Sequence, residues 1–326
     1  MATNKCSKTV LMKATKLVEK KANLSPKSKY TYQDCWNYVL FLDKNIALEK
    51  VKKDINEACL NSAKNLSKVL IALCQTTPEK FWYFFSIPLL SPPRYLKILH
   101  NLKKYFQENY PLPYLTKQIY FNGLTFYIEK GVYIPQSDTE ILFQKTCQLI
   151  NRQWGKSSPL KILDLGTGCG NLAISLAKIY PHSQITAVDI SSRAVKITQK
   201  NIFQHQIKNL AVKKSDLFSQ LEPHEKFNVV MANPPYIGRQ EYKNLSLTTK
   251  KQPYRALIAK EKGYFFYRVI LSQASSFLTS KYLLIFEIGY QQKEKVLKLI
   301  LRYFANAKVS IFSDKKGYSR VIAVTK

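Results

Sequence analysis

The chain has 326 residues, 46% of them hydrophobic, and 51 Lys and Arg against 21 Asp and Glu give a formal net charge of +30. That is enough chain for one large domain and a small one, with apolar content for a sizeable core. No apolar run reaches the roughly 18 residues of a membrane-spanning helix, and six scattered cysteines, at 6, 35, 59, 74, 147 and 169, form no Cys-x-x-Cys pair and accompany no His cluster, a pattern that speaks against a structural zinc site and a disulfide framework and fits reduced thiols in a cytoplasm best.

Met1 to Lys29 carries eight Lys, one Glu and no Arg. It lacks the apolar core of a secretory signal and the arginines of a transit peptide, so residues 1–30 read as a basic, frayed or helical start, with organelle import the lesser option. From about Thr31 to Tyr110 apolar residues recur at helical steps, for example Val69, Leu70 and Leu73, then Leu96, Leu99, Leu102 and Phe106. Residues 31–116 are expected to be a helical bundle broken near Pro88 and Pro92-Pro93. Gln118 to Phe121 and Leu124 to Ile128 flank Asn122-Gly123, the strongest short-range hairpin signal, so residues 117–134 read as a linking β-hairpin.

From there to the end, 135–326, strands and helices alternate. The expected strands are Lys161–Leu165, Gln184–Asp189, Ala211–Lys214, Asn228–Ala232, Tyr282–Ile288, Val309–Phe312 and Arg320–Val324, with helices at Asn171–Ile179 and Ser192–His205. The order implies a mostly parallel, doubly wound α/β sheet. The short polar turn Ser313 to Tyr318 makes the last two strands an antiparallel pair at the sheet edge.

Between the first of these strands and its helix lies Asp164-Leu165-Gly166-Thr167-Gly168-Cys169-Gly170. Glycines there permit a tight turn and close approach of a ligand. The spacing is Gly-x-Gly-x-Gly rather than the Gly-x-Gly-x-x-Gly that feeds a pyrophosphate to a helix N-terminus. An acidic residue beside it repels phosphate and suits a cationic ligand such as S-adenosylmethionine; the alternative is a plain structural turn. Asp189, ending the next strand, can accept both hydroxyls of a ribose, or can cap the following helix, a role that Ser191 or Ser192 is equally able to fill. Asp216, in Ser215-Asp216-Leu217-Phe218, can accept an adenine amino group and Leu217 can pack on the ring, or the four can form a turn.

Asn233-Pro234-Pro235-Tyr236 follows an apolar strand, at the carboxyl end where open α/β sheets bind ligands. The Asn233 side-chain oxygen and the carbonyls around Pro234 are acceptors for one NH2 group. Together they fix its plane and stabilise positive charge developing on its nitrogen, while Tyr236 offers a flat face for stacking. Alignment is the device such a poor nucleophile needs, and orientation can recover on the order of 7–11 kcal/mol. Asn233, Pro234 and Tyr236 are therefore the candidate catalytic residues, and all four line the acceptor site; the bland alternative is a Pro-Pro turn closing a strand.

With these residues in place the chain, from about Leu112 to Lys326, resembles the HemK-type protein-(glutamine-N5) methyltransferases, in particular the peptide chain release factor methyltransferases. The likeness runs through Pro113-Tyr114-Leu115-Thr116, Tyr133-Ile134-Pro135, Asp138-Thr139-Glu140, the glycine loop, Asp189, Asn233 to Tyr236, Pro253 with Ala256-Leu257, and Phe286-Glu287-Ile288-Gly289-Tyr290. It departs at Gln136 and Gln252, where the family usually has Arg and Glu. The resemblance implies a Rossmann-like class I S-adenosylmethionine-dependent methyltransferase fold with an N-terminal helical substrate-recognition domain. It implies cofactor contacts at Gly166, Thr167, Gly168, Cys169, Gly170, Asp189, Leu217 and Asn233, with Thr139 and Glu140 lining the donor pocket and no metal. It also implies, as substrate and partner, the Gly-Gly-Gln glutamine of class 1 release factors. Three readings compete: glutamine methylation of a ribosomal protein, methylation of an exocyclic amine of adenine or guanine in nucleic acid, and a non-enzymatic RNA- or ribosome-binding protein. A charge of +30 draws RNA, DNA, the ribosome or an acidic partner over long range, or it reflects solvated lysine-rich faces.

Overall fold

The computed structural model describes residues 68–77, 80–81 and 90–326. The basic start and most of the expected helical bundle, with Pro88, lie outside these residues. The chain divides between Thr116 and Lys117.

In the first unit, residues 68–74 are helical and α1 spans Pro92–Glu108. Pro92-Pro93, expected as a break, instead opens this helix, where a missing N–H costs nothing because the first N–H groups have no intrahelical partner. Asn109, with φ 53°, closes it in the left-handed conformation and donates its backbone N–H to the Lys104 carbonyl. Val69, Leu70, Leu73, Ile98, Leu99 and Leu102 form a small buried cluster. Leu96, expected on the same stripe, is 42% exposed, because the buried face centres on Ile98 and Leu102, a pair four residues apart. A single turn, α2 (Leu112–Thr116), precedes the division.

The second unit opens on β1 (Gln118–Phe121) and β2 (Leu124–Tyr127), an antiparallel hairpin. Its turn residues Asn122 and Gly123 have φ of 46° and 77°, the pair of positive values that matches the strand twist. α3 (Ser137–Gln153) follows, with Asp138 and Glu140 in its first turn and Thr139, Leu142, Phe143, Thr146 and Ile150 on its buried face.

Seven strands form one sheet: β3 (Lys161–Leu165), β4 (Gln184–Asp189), β5 (Leu210–Lys214), β6 (Phe227–Ala232), β9 (Leu278–Glu287), β10 (Lys308–Ser313) and β11 (Ser319–Thr325). Their order is β10-β11-β9-β6-β3-β4-β5. Pairing is parallel from β9 to β5 and antiparallel on both sides of β11. The antiparallel pair thus sits at the edge as the polar turn implied, with β10 outermost. β9 starts four residues earlier than its apolar run, because Thr279 to Lys281 pass through a register shift where apolar patterning gives no signal.

Alternate strand residues feed two cores. Ile162, Ile185, Val229, Met231 and Ile285 pack with α3 and α4 (Asn171–Ile179) on one face. Leu163, Leu165, Val188, Val230 and Phe286 pack with α6 (Phe265–Ala274) and α7 (Lys293–Tyr303) on the other. Each such buried aliphatic side chain contributes roughly 1.5–3 kcal/mol over exposure. Burial of both faces is what a parallel sheet requires. After β3 the chain steps to β4 and β5 on one side, then returns to β6 on the other. The reversal leaves a crevice beyond the carboxyl ends of β3, β4 and β6.

Candidate active site

The crevice is a cavity of about 1290 Å3. Gly166, Thr167, Gly168 and Cys169 line it from the β3 end, Asp189 from β4, Asp216 and Leu217 from β5, and Asn233, Pro234, Pro235 and Tyr236 from β6. The structure therefore brings together nearly all the residues singled out above. Two do not reach the cavity. Glu140 follows Thr139 on α3 and is turned about 100° away by the helix. Gly170 faces α5 (Ser192–Gln204) instead: with φ +82°, any Cβ it carried would lie 2.8 Å from Thr198 Cγ2.

The β3–β4 side is built largely of backbone. Gly166 and Gly168 have φ of 75° and 62°, in the left-handed region where a side chain is unfavourable. Asp189 fixes the loop: its Oδ2 accepts from the Gly168 amide at 2.9 Å and its Oδ1 from the Ser191 amide at 2.8 Å. Two of its roughly four acceptor positions stay available. The Ser191 hydroxyl caps α5 by accepting from the Ala194 amide, so Asp189 is released from that duty. Burial raises the Asp189 pKa, against the two amides.

Two side chains on α5 hold the loop from behind. Thr198 Oγ1 donates to the Gly168 carbonyl at 3.1 Å. Asn201 Nδ2 donates to the Cys169 carbonyl at 2.8 Å and to the Tyr127 carbonyl at 2.9 Å, and its Oδ1 accepts from the Tyr127 amide at 2.8 Å. Asn201 thereby joins the hairpin to the glycine loop. The amino-acid order does not announce this pair: Thr198 and Asn201, three residues apart, stand out only as wholly buried polar side chains in one helix. Burial pushes the Cys169 thiol up to about 12, so it is not a nucleophile.

At β5, Leu217 has φ 49°, a conformation costing roughly 1–2 kcal/mol in a residue with a side chain. The Ser215 hydroxyl holds it by donating to the Leu217 carbonyl at 2.7 Å.

The β6 side is built of side chains from distant segments. Asn233 Nδ2 donates to Thr139 Oγ1 at 3.1 Å. Thr139 in turn donates to Glu287 Oε2 at 2.8 Å, and the Tyr236 hydroxyl approaches Glu287 Oε1 at 3.4 Å. Glu287, at the end of β9, is fully buried. Gln292 Nε2 donates to the Tyr236 carbonyl at 2.8 Å. Gly263 is required beside that carbonyl, since an added Cβ would stand 2.2 Å from it. A two-residue parallel pair, β7 (Ile237–Gly238) with β8 (Ile258–Ala259), ties the Tyr236 segment to the far wall.

The two positions that depart from the family pattern meet at one residue. Gln252 Oε1 accepts from the Ile134 amide at 2.9 Å, and Gln136 Nε2 donates to the Ile134 carbonyl at 2.8 Å. Glutamine thus satisfies both backbone groups without charge.

The charges of the cavity wall are separated. Asp189 and Asp216 lie at the β4 and β5 ends, and Arg239, Arg255 and Lys260 on the segments after β6. Among the described residues no group of three or more His, Cys, Asp or Glu could hold a metal ion, and no helix is long and apolar enough to cross a membrane.

Comparison with known proteins agrees with this geometry. A family profile described as "Methyltransferase small domain" matches residues 136–257. The release factor glutamine methyltransferase of Streptococcus pneumoniae is 33% identical over 215 residues, which is 66% of this chain and 74% of that one. The chain belongs to the release factor glutamine methyltransferase family. The corresponding protein of Fusobacterium nucleatum is 35% identical over 71% of this chain, which spans 64% of that relative's length. The chain spans 45% of a bifunctional methyltransferase of Rickettsia typhi, at 33% identity. In fold, the chain is similar to the hMettl16 catalytic domain solved in complex with a MAT2A 3'UTR hairpin, with TM-score 0.50 and 15% identity over 71% of this chain and 81% of that one.

The methyl donor of this family is S-adenosylmethionine, and the residues present fit it. Thr167 Oγ1 and Asn171 Nδ2, on the wall beside the glycine loop, and Asp164 Oδ2 beneath it, are buried without a hydrogen-bond partner. They are a polar set suited to an amino-acid moiety. Burial pushes the Asp164 carboxyl up to about 7, opposed by the Thr167 hydroxyl, which lies near the carboxyl without making a hydrogen bond of ordinary geometry to it. Asp189 keeps acceptor capacity for a diol, and Leu217 offers an apolar edge.

Proposed function

We propose that this chain transfers a methyl group from S-adenosylmethionine to the side-chain nitrogen of the glutamine in a Gly-Gly-Gln loop of class 1 peptide chain release factors. The observation that carries the reading is the Asn233–Thr139 hydrogen bond. It spends the Asn233 NH2 on the protein and leaves Oδ1 as an acceptor on the cavity wall, beside Pro234 to Tyr236 and across from the glycine loop. S-adenosylmethionine, when bound, supplies an electrophilic methyl group. Gly166, Thr167, Gly168, Cys169, Asp189, Asp216 and Leu217 would hold it. Asn233 Oδ1 accepts one hydrogen of the glutamine NH2, and a carbonyl next to Pro234 accepts the other. Both acceptors favour positive charge on the nitrogen, so stabilisation grows as the nitrogen–carbon bond forms; the donor's carbon–sulfur bond would break to leave a neutral thioether, and the nitrogen would then give up one of its two protons to water. Tyr236 stacks on the amide plane. Its hydroxyl pKa lies far above neutrality, chiefly through burial, and it therefore acts by shape rather than by proton transfer. The helical region ahead of Thr116 is assigned to substrate recognition, and 117–134 to the link.

The test is mass spectrometry of a release factor after incubation with enzyme and labelled donor. A single added methyl on the Gly-Gly-Gln glutamine is expected, and an unmodified glutamine would remove the reading. A second reading, methylation of an exocyclic amine in nucleic acid, draws on the net charge of +30 and on Arg239, Arg255 and Lys260 along the wall. Label appearing in RNA or DNA and absent from release factor and ribosomal protein would select it.

A further inference from the structure

We propose that Glu287 is a positioning residue which, through Thr139, dictates which end of the Asn233 amide faces the cavity. The proposal rests on the methyl-transfer reading above and goes beyond it, because Glu287 does not line the cavity and acts through Thr139.

Hydrogen-bond polarity fixes the arrangement. An ionised carboxylate only accepts, and a threonine hydroxyl has a single proton to give. With Glu287 ionised, that proton is committed to Oε2 at 2.8 Å. Thr139 Oγ1 then has only lone pairs left for Asn233. The end of the Asn233 amide that meets it at 3.1 Å must be NH2, and Oδ1 must turn to the cavity. With Glu287 protonated, the chain can run backward. The acid donates to Thr139, Thr139 donates to Asn233 Oδ1, and the amide turns over. Its NH2 then confronts the NH2 of the substrate, donor against donor.

The surroundings make both states accessible. Glu287 is completely buried, and among the described residues no cation is paired with its carboxylate. Arg320, on the neighbouring β11, is spent on Asp138 at 3.2 Å and Asp314 at 2.9 Å. A buried charge so placed is costly. Burial pushes the Glu287 carboxyl up to about 7, and the Asp138 carboxylate on α3 adds to this. Thr139, Tyr236 and the more distant Arg320 oppose it. The other groups facing Glu287 are the hydroxyls of Tyr133, ahead of α3, of Tyr236, after β6, and of Tyr267, on α6, which donates to the Glu287 backbone carbonyl at 2.9 Å. All three titrate above their ordinary range, chiefly through burial, so none changes charge near neutrality.

Two measurements test the relay. The first is the single-turnover rate of methyl transfer to a release factor between pH 6 and 8.5. Saturating donor removes the effect on donor occupancy of Asp164, which also titrates near 7 under the glycine loop, and any remaining contribution from it would persist in Glu287→Gln. A group titrating near 7 is about nine-tenths ionised at pH 8 and one-tenth at pH 6, so the wild-type rate should fall about tenfold between them. Glu287→Gln cannot change its protonation between pH 6 and 8.5, whichever end of its amide meets Thr139, and should flatten this profile. Thr139→Ser should keep the wild-type profile, and Thr139→Val should lower the rate at every pH with donor affinity unchanged. A Glu287→Gln enzyme that retains the inflection, or a Thr139→Val enzyme with wild-type rate and profile, would overturn the proposal.

The second measurement needs no acceptor and so separates failure of the relay from failure of the proposed activity. The Asn233 side-chain NH2 is followed by 15N NMR, its resonance identified by its absence in Asn233→Asp. It should shift with an inflection near pH 7 in the wild type and not in Glu287→Gln. An Asn233 resonance insensitive to pH in the wild type would refute the relay even if the enzyme methylates release factors. If the shift is present while no release factor is methylated, the relay stands and the substrate assignment falls.

Discussion

The two halves of the cavity are built in different ways. The donor half is a run of backbone: one loop after β3, held by the Asp189 carboxylate and by two side chains of α5. The acceptor half is a set of side chains drawn from α3, β9 and the Tyr236 segment, packed beside Gly263, with hydrogen-bonded partners up to 148 positions apart in the chain. A local half of this kind should fail through loss of affinity. A half assembled over long range should fail through loss of alignment, with the donor still bound.

The largest effect that sharpens this contrast is expected from Asn233→Ala. The transfer rate should fall on the order of 10²–10³-fold, the size of losing one preorganised polar contact, while calorimetric donor affinity stays within a few-fold. Equal loss of both would merge the two halves. Asp189→Ala should do the reverse. It removes a charged acceptor worth about 1.5–3 kcal/mol, so donor binding weakens roughly 10- to 100-fold, and the rate at saturating donor changes little. Unaltered donor affinity would refute the ribose contact.

Gly263→Ala comes next. A methyl group forced against the Tyr236 carbonyl costs about 1–3 kcal/mol, read as a lower denaturation midpoint. The KM for the acceptor should rise with donor affinity intact; a melting curve matching wild type would show that the wall yields. The smallest change is expected from Leu217→Gly. Relief of the strained φ offsets lost burial, so stability should move by less than about 1 kcal/mol. Donor affinity should drop a few-fold, and a stability loss well above that would mean that Leu217 serves the core rather than the ligand.

The same division explains what could be read from the amino-acid order. β3, β4 and α4 fall at their expected bounds because apolar runs and glycines signal them locally. The hairpin was legible through Asn122-Gly123, and Asn233 through its place after a buried strand. Thr139 was expected only as part of a pocket wall. Its actual partners, Asn233 and Glu287, are 94 and 148 residues away, and no periodicity within α3 distinguishes a residue that links them from one that packs. Glu140 was misplaced for the related reason that neighbours on a helix point in different directions. Gly263 carries no local mark either, since its need arises from a carbonyl 27 residues earlier in the chain.

Asn201 has one further consequence. A single amide grips Tyr127 of the hairpin and Cys169 of the glycine loop, so displacement of either is felt by the other across one rigid group. A fluorophore placed at the hairpin tip, remote from all chemistry, should therefore report the arrival of donor, and with Asn201→Leu that signal should fall silent.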